Sequence, residues 1–248
     1  MTAPLHLSRI RLNAAAGFDR LAPILLPDDP GARAGTTHRL VWTLFPADLS
    51  RRPFLYREMA PTDARGRATQ GEILVLSDRV PEDRLGLFRV ETRPFEPALS
   101  AGDRLTFALR ANPARNRRDA SGRATRSDVV MDALYRWKAA NPDAAAGEVA
   151  AMRAVLVRRA GLEWLSAQAE GAGFRLPDEE RVNVEGYERI PLARRSPGGP
   201  GADRAGHHRL EFAGLLEVTD PARFLTRLAE GFGRARAFGH GLMLIRRA

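Results

Sequence analysis

Cysteine is absent from the 248 residues. That excludes disulfides, thiolate metal sites and a cysteine nucleophile. Lysine is nearly absent: of 39 basic residues only Lys138 is not an arginine. Recognition by positive charge therefore falls to arginine, whose planar fork matches phosphates and base edges. Acidic residues are too few to balance it, and the 30 present leave a net charge of +9 and a pI of about 11.1. Such an excess favours a polyanion, nucleic acid above all, over an acidic metabolite. No run of about 18 apolar residues occurs, so no helix is expected to span a membrane. Residues 1–13 lack the apolar core of a signal peptide. The expectation is a cytoplasmic protein without a membrane partner. There is no His-Glu-x-x-His, no clustered carboxylate set and no Walker Gly-Lys-Ser/Thr. Neither a metal site nor a cofactor is expected.

What is present gathers at the C-terminal end. Residues 231–247 read as a helix exit, a glycine-rich basic loop and a short strand. Gly231 follows Leu225 and Leu228 on one helix face, which suits a left-handed cap. Gly233, Gly239 and Gly241 keep the backbone bare for close approach of a ligand or another chain. With Arg234 and Arg236 inside the loop, bare amides and guanidinium groups make a candidate phosphate cradle. The strand from Leu242 to Ile245 is apolar on both faces and is expected inside a sheet. The same residues also suit a tight helix-to-strand turn with solvated arginines.

From the N-terminus, alternation predicts a strand over residues 5–13, with Arg9 and Arg11 on one face and Ile10 and Leu12 on the other. Residues 23–35, rich in Pro, Asp and Gly, read as loop. A helix is expected from Thr36 or Thr37 to Pro46, carrying His38 in its first turn, where the positive end of the helix dipole disfavours the imidazolium and favours a neutral base. Strands follow near residues 53–59 and 72–77, joined by a basic turn at residues 63–67 that carries Arg65 and Arg67, then a short helix at 80–85 and a strand at 88–93. Residues 102–111 alternate cleanly and open a second unit. Residues 112–126, with Arg115 and Arg117, read as a mobile basic loop. Two helices come next, the longer with Val149, Met152, Leu156, Ala160 and Trp164 as its buried stripe. Residues 182–192 read as extended. Residues 194–208, which include Arg194 and Arg195, read as a hairpin tip or disordered loop. A strand then buries Leu210, Phe212, Leu216 and Val218, and Asp220-Pro221 opens the last helix. The expected fold is α+β: two tandem ferredoxin-like β-α-β-β-α-β domains, residues 1–98 and 99–248.

The spacing Gly-x-Gly, five residues, Gly-x-Gly and four apolar residues resembles the C-terminal loop of CRISPR RNA-processing endoribonucleases. The stretches LSRIRLN (7–13), HRLVWTLFP (38–46), LRANP (109–113) and FAGLL (212–216) stand in the order seen in the CasE family of type I-E CRISPR systems. With them the chain resembles that family over nearly its whole length. The resemblance implies two ferredoxin-like domains and binding of the hairpin in a CRISPR repeat transcript. It also implies metal-independent cleavage at the hairpin base, retention of the crRNA and assembly with other subunits of a surveillance complex. It makes His38 the catalytic residue. The family's tyrosine three residues before that histidine is Gly35 here.

On chemistry alone His38 suits proton transfer near neutral pH, but the residues by themselves favour a histidine packed beside Val41 and Trp42, and it is the family resemblance that reverses this. Arg9, Arg11, Arg39, Arg115, Arg117, Arg194, Arg195, Arg234 and Arg236 are the candidate RNA contacts. Arg39 is the adjacent candidate helper to His38. Three readings stay open: an RNA endonuclease, a weakly catalytic or non-catalytic RNA-hairpin-binding subunit, and a phosphate-ligand enzyme built on the glycine loop.

Overall fold

The computed structural model describes residues 4–59, 71–118, 124–191 and 206–248. The candidates Arg194 and Arg195, and the basic turn near Arg65, lie outside the described residues. In the N-terminal half β1 (His6–Leu12) turns Ser8, Ile10 and Leu12 into the core and Arg9 and Arg11 outward. A short helix α1 (Ala22–Leu25) precedes α2 (Pro30–Trp42). Helix α2 starts a turn and a half earlier than residues 36–37. The Asp29 side chain accepts from the Ala32 N–H at 2.7 Å, and Pro30 occupies the first helical position. Aspartate and proline thus cap the helix rather than form a loop. Thr37 is no cap: it is buried, and its hydroxyl donates to Glu58 at 2.6 Å.

Strands β2 (Phe54–Glu58), β3 (Glu72–Ser77) and β4 (Phe88–Pro94) complete an antiparallel sheet in the order β2-β3-β1-β4. This is the ferredoxin-like order. The helix expected at residues 80–85 does not form. The Asp83 carboxylate instead accepts from the N–H groups of Leu85, Leu87 and Phe88, which bends the chain back into β4. Side-chain capture of backbone donors outcompetes a helix there.

The C-terminal half repeats the plan with insertions. It runs through β5 (Arg104–Ala111), β6 (Ala114–Arg118), β7 (Ala124–Asp128), α3 (Val129–Ala140), α4 (Ala146–Ala172), β8 (Phe174–Arg175), β9 (Asn183–Pro191), β10 (Gly206–Val218), α5 (Pro221–Glu230) and β11 (Met243–Arg247). The sheet order is β11-β5-β10-β8, with β9 also paired to β10, and every pairing is antiparallel. Residues 112–126 are not a loop: β6 and β7 pair as a two-stranded ribbon. The buried face of α4 is Val157, Ala160, Gly161, Trp164, Leu165, Ala169 and Ala172, so of the expected stripe Ala160 and Trp164 are fully buried.

Strand β11 lies at the sheet edge, not inside. Its second apolar face has another cause. Met243 packs into the C-terminal core, whereas Leu242 and Leu244 meet Leu55, Leu74 and Leu76 of the N-terminal sheet. This small cluster joins the halves. Glu211 adds a polar clasp, accepting from Arg57 at 3.0 Å and Arg110 at 2.5 Å.

Candidate active site

His38 is the ninth residue of α2, past its middle. The positive end of the helix dipole therefore does not act on it, contrary to the first-turn expectation, because that effect fades within one turn. Another arrangement keeps the imidazole neutral. The ring sits among Trp42, Phe54 and Tyr56, with centroids at 6.3, 5.9 and 6.3 Å. Burial lowers its pKa first, and the Arg52 and Arg39 guanidinium groups lower it further. The Trp42 indole N–H donates to Nε2 at 3.1 Å. A neutral ring that accepts at Nε2 carries its proton on Nδ1. The bond from position i+4 of the same helix thus selects the tautomer.

Gly35 leaves no hydroxyl one turn before His38, and Tyr56 does not replace it. Tyr56 is fully buried, and its hydroxyl lies 3.3 Å from the Ala34 carbonyl and 3.1 Å from the Ala237 carbonyl. Burial, Glu58 foremost among the charges, pushes its pKa far up. It is a strut between the two halves rather than an acid. Arg39 is exposed and donates to Thr36 Oγ1 at 3.2 Å. Sequence reasoning passed over Arg52. The pair Arg51 and Arg52 ahead of β2 was the available signal, and only the fold brings Arg52 to His38.

The candidate arginines fall into separate groups. Arg236 lines a cavity of about 350 Å³ with Arg51 and Arg52. Arg234 points elsewhere: it donates to Asn116 of β6 at 2.9 Å and, with Arg115, lines a groove of about 640 Å³ against α3 and α4. Arg115 pairs with Asp132 at 3.0 Å. Arg117 lies in β6 beside them in sequence. Arg9 and Arg11 form a third group on the outer face of β1, both paired to Glu72, at 3.3 and 2.7 Å.

The glycine loop is built on itself. The N–H groups of Gly231, Phe232, Phe238 and Gly241 donate to carbonyls of Arg227, Gly241, Ala235 and Arg110. Of the three glycines expected to present bare amides, Gly241 therefore has its N–H already engaged. Gly231 has φ +80° with ψ 166°, so it is not a left-handed cap. It is glycine because a Cβ there would stand 2.7 Å from Leu55 and because φ is positive.

His207 and His240, expected at a flexible loop end and in the glycine loop, meet with Nε2 atoms 2.8 Å apart. Burial, then His208 and Arg209, brings the His207 pKa down to about 4. Burial, then His207, Arg110 and Arg209, drives that of His240 well down. An unfolded histidine takes its proton near 6.5 and the folded His207 not until about 4. Below 6.5 the unfolded state therefore binds more protons, and stability falls as pH drops through that window. Thermal melts should show Tm declining from pH 6.5 to 4, less steeply in His207→Gln; equal slopes would contradict the assignment. Among the described residues no group of three or more His, Asp or Glu is placed to hold a metal ion, and no helix is long and apolar enough to cross a membrane.

The sequence model of a family described as CRISPR associated protein matches residues 5–247. The CRISPR-associated endoribonuclease Cse3 of Thermus thermophilus is 31% identical over 156 residues, 62% of this chain and 60% of that protein. The alignment thus spans about three fifths of this curated relative. Thermus thermophilus Cse3 bound to an RNA representing a pre-cleavage complex superposes with a TM-score of 0.62 at 24% identity, covering 98% of this chain and 99% of that one. Cas6e of Escherichia coli str. K-12 superposes with a TM-score of 0.56 at 21% identity, covering 98% and 100%. Both likenesses show the fold.

Proposed function

The chain belongs to the CasE family of CRISPR-associated proteins, and from that premise we propose that it is a cytoplasmic endoribonuclease acting on the hairpin of a CRISPR repeat transcript. It cleaves at the hairpin base and retains the crRNA among the other subunits of a surveillance complex. Residues 1–98 carry His38 and residues 99–248 carry the glycine loop. The observation that carries this reading is the seat of His38, an imidazole kept neutral by burial and neighbouring arginines.

The substrate supplies its own nucleophile. The 2′-oxygen forms a bond to the adjacent phosphorus as the bond from phosphorus to the 5′-oxygen breaks. The 2′ proton leaves to a base and the 5′-oxygen receives a proton from an acid. His38 performs one of these transfers. In the tautomer that Trp42 holds, Nδ1–H is buried without a partner among the described residues, and proton transfer at Nε2 requires release of the indole bond. No step calls on a metal.

One observation favours a second reading, a hairpin-binding subunit that cleaves poorly: Gly35 stands at the tyrosine position and the Tyr56 hydroxyl is spent on carbonyls. A single substrate change separates the two. A 2′-deoxy nucleotide just before the cut should abolish cleavage and leave the Kd of the repeat RNA within about threefold, because only the nucleophile is removed. Intact RNA left uncleaved by the wild-type protein would favour the binding subunit.

A further inference from the structure

We propose that Arg52, with Arg236 beside it, holds the non-bridging oxygens of the phosphate on which His38 acts. The inference rests on the endoribonuclease reading and assigns that site its charge-stabilising group. Arg52 stands two residues ahead of Phe54, the first residue of β2. Its guanidinium lies 5.9 Å from the Phe54 ring centroid, and the His38 ring lies 5.9 Å from the same centroid. Cation and imidazole thus both lie beside one ring, near enough for the Arg52 charge to act on His38.

Arg52 has no carboxylate partner among the described residues, and the cavity it lines explains why. Of the two carboxylates there, Asp78 pairs with Arg51 at 2.5 Å and Glu230 pairs with Arg227 at 3.6 Å. The Arg52 Nε is buried without an acceptor. Arg236, lining the same cavity, gives one Nη1–H to the Glu230 carbonyl oxygen. Two guanidinium groups therefore face one partly enclosed space with no carboxylate of their own. Leaving buried donors and charge uncompensated is costly, and a phosphodiester anion supplies both the charge and the acceptors. Burial and the charge of Arg236 lower the Arg52 pKa, as expected for cations crowded together.

The chemistry favours this placement. As the 2′-oxygen adds, negative charge on the non-bridging oxygens rises, and a preorganised cation binds that state better than the ground state. Arg52 therefore supplies what Gly35 leaves out of this site in the form of charge, while proton transfer stays with His38.

The test uses the full-length protein, the repeat RNA hairpin and its uncleavable 2′-deoxy form, with Arg52→Gln and Arg52→Lys. Arg52→Gln should lower the single-turnover rate by roughly 10²-fold or more and change the Kd of the 2′-deoxy RNA by less than about tenfold. Arg52→Lys should recover part of the rate. The groups facing His38 are Arg39 from its own helix and Tyr56 and Arg52 from the β2 segment, with Arg236 beyond Arg52. Removing the Arg52 charge should move the pH–rate limb that reports His38 to higher pH, which a packing role would not do. A wild-type rate in Arg52→Gln, an unmoved limb, or rate and affinity falling together would overturn the inference. If His38→Ala loses cleavage while Arg52→Gln keeps it, this inference alone fails. If His38→Ala cleaves normally, the mechanism beneath it fails as well.

Discussion

Replacing His38 by alanine should lower the single-turnover rate on repeat RNA by roughly 10²–10⁴-fold, the usual worth of a general acid or base. Affinity should hardly change. The imidazole is only partly buried, and its one hydrogen bond among the described residues comes from Trp42 of the same helix. Losing it releases the Trp42 indole N–H, while Val41, Leu40 and Leu44 still anchor the helix. The rate and Kd of the uncleavable RNA measured together check this. Equal losses in both would assign His38 a packing role.

The largest effect on stability is expected at Trp164. Its ring is 5% exposed, stacks on Phe212 at 5.5 Å and lies directly under Gly233, where an added Cβ would stand 3.1 Å from it. Trp164→Ala removes a core aromatic and the floor of the glycine loop at once. The expected cost is about 3–5 kcal/mol, a fall in Tm on the order of 10 °C for a chain of this size. Because the same loop carries Arg234 and Arg236, RNA affinity should weaken too. Calorimetry and a binding titration read both effects. A Tm within about 3 °C of wild type would show that the loop rests on something else.

Much of this architecture is legible in the chain because its elements are periodic. Strand β10 shows its buried face as Leu210, Phe212, Leu216 and Val218, and the structure buries all four. The start of α5 is legible in Asp220-Pro221. The same pair, Asp29-Pro30, opens α2 and went unread because the surrounding Pro, Asp and Gly look like loop. That one misplacement changed the explanation of the His38 pKa from a helix dipole to burial and arginines. The β6–β7 ribbon escaped because polar residues on both faces leave no alternation to see. The edge position of β11 was hidden for the opposite reason: its second apolar face belongs to the contact between halves, which no local window contains.

The site divides in the same way. His38 was legible through the spacing shared with a family. Arg52 was not, because its meaning lies in the Phe54 ring it shares with His38 and in carboxylates already taken by other arginines. Nor could the chain alone separate Arg234 from Arg236. They stand two residues apart, yet one reaches β6 and the other the cavity beside Arg52.

The central claim, that this chain cleaves RNA by its own side chains and the substrate's 2′-OH, is tested most directly by mapping the ends of the products. Repeat RNA incubated with the protein in excess chelator should give an upstream fragment ending in a 2′,3′-cyclic phosphate and a downstream fragment beginning with a 5′-OH. Cleavage that stops on chelation, or fragments carrying a 5′-phosphate and a 3′-OH, would contradict it.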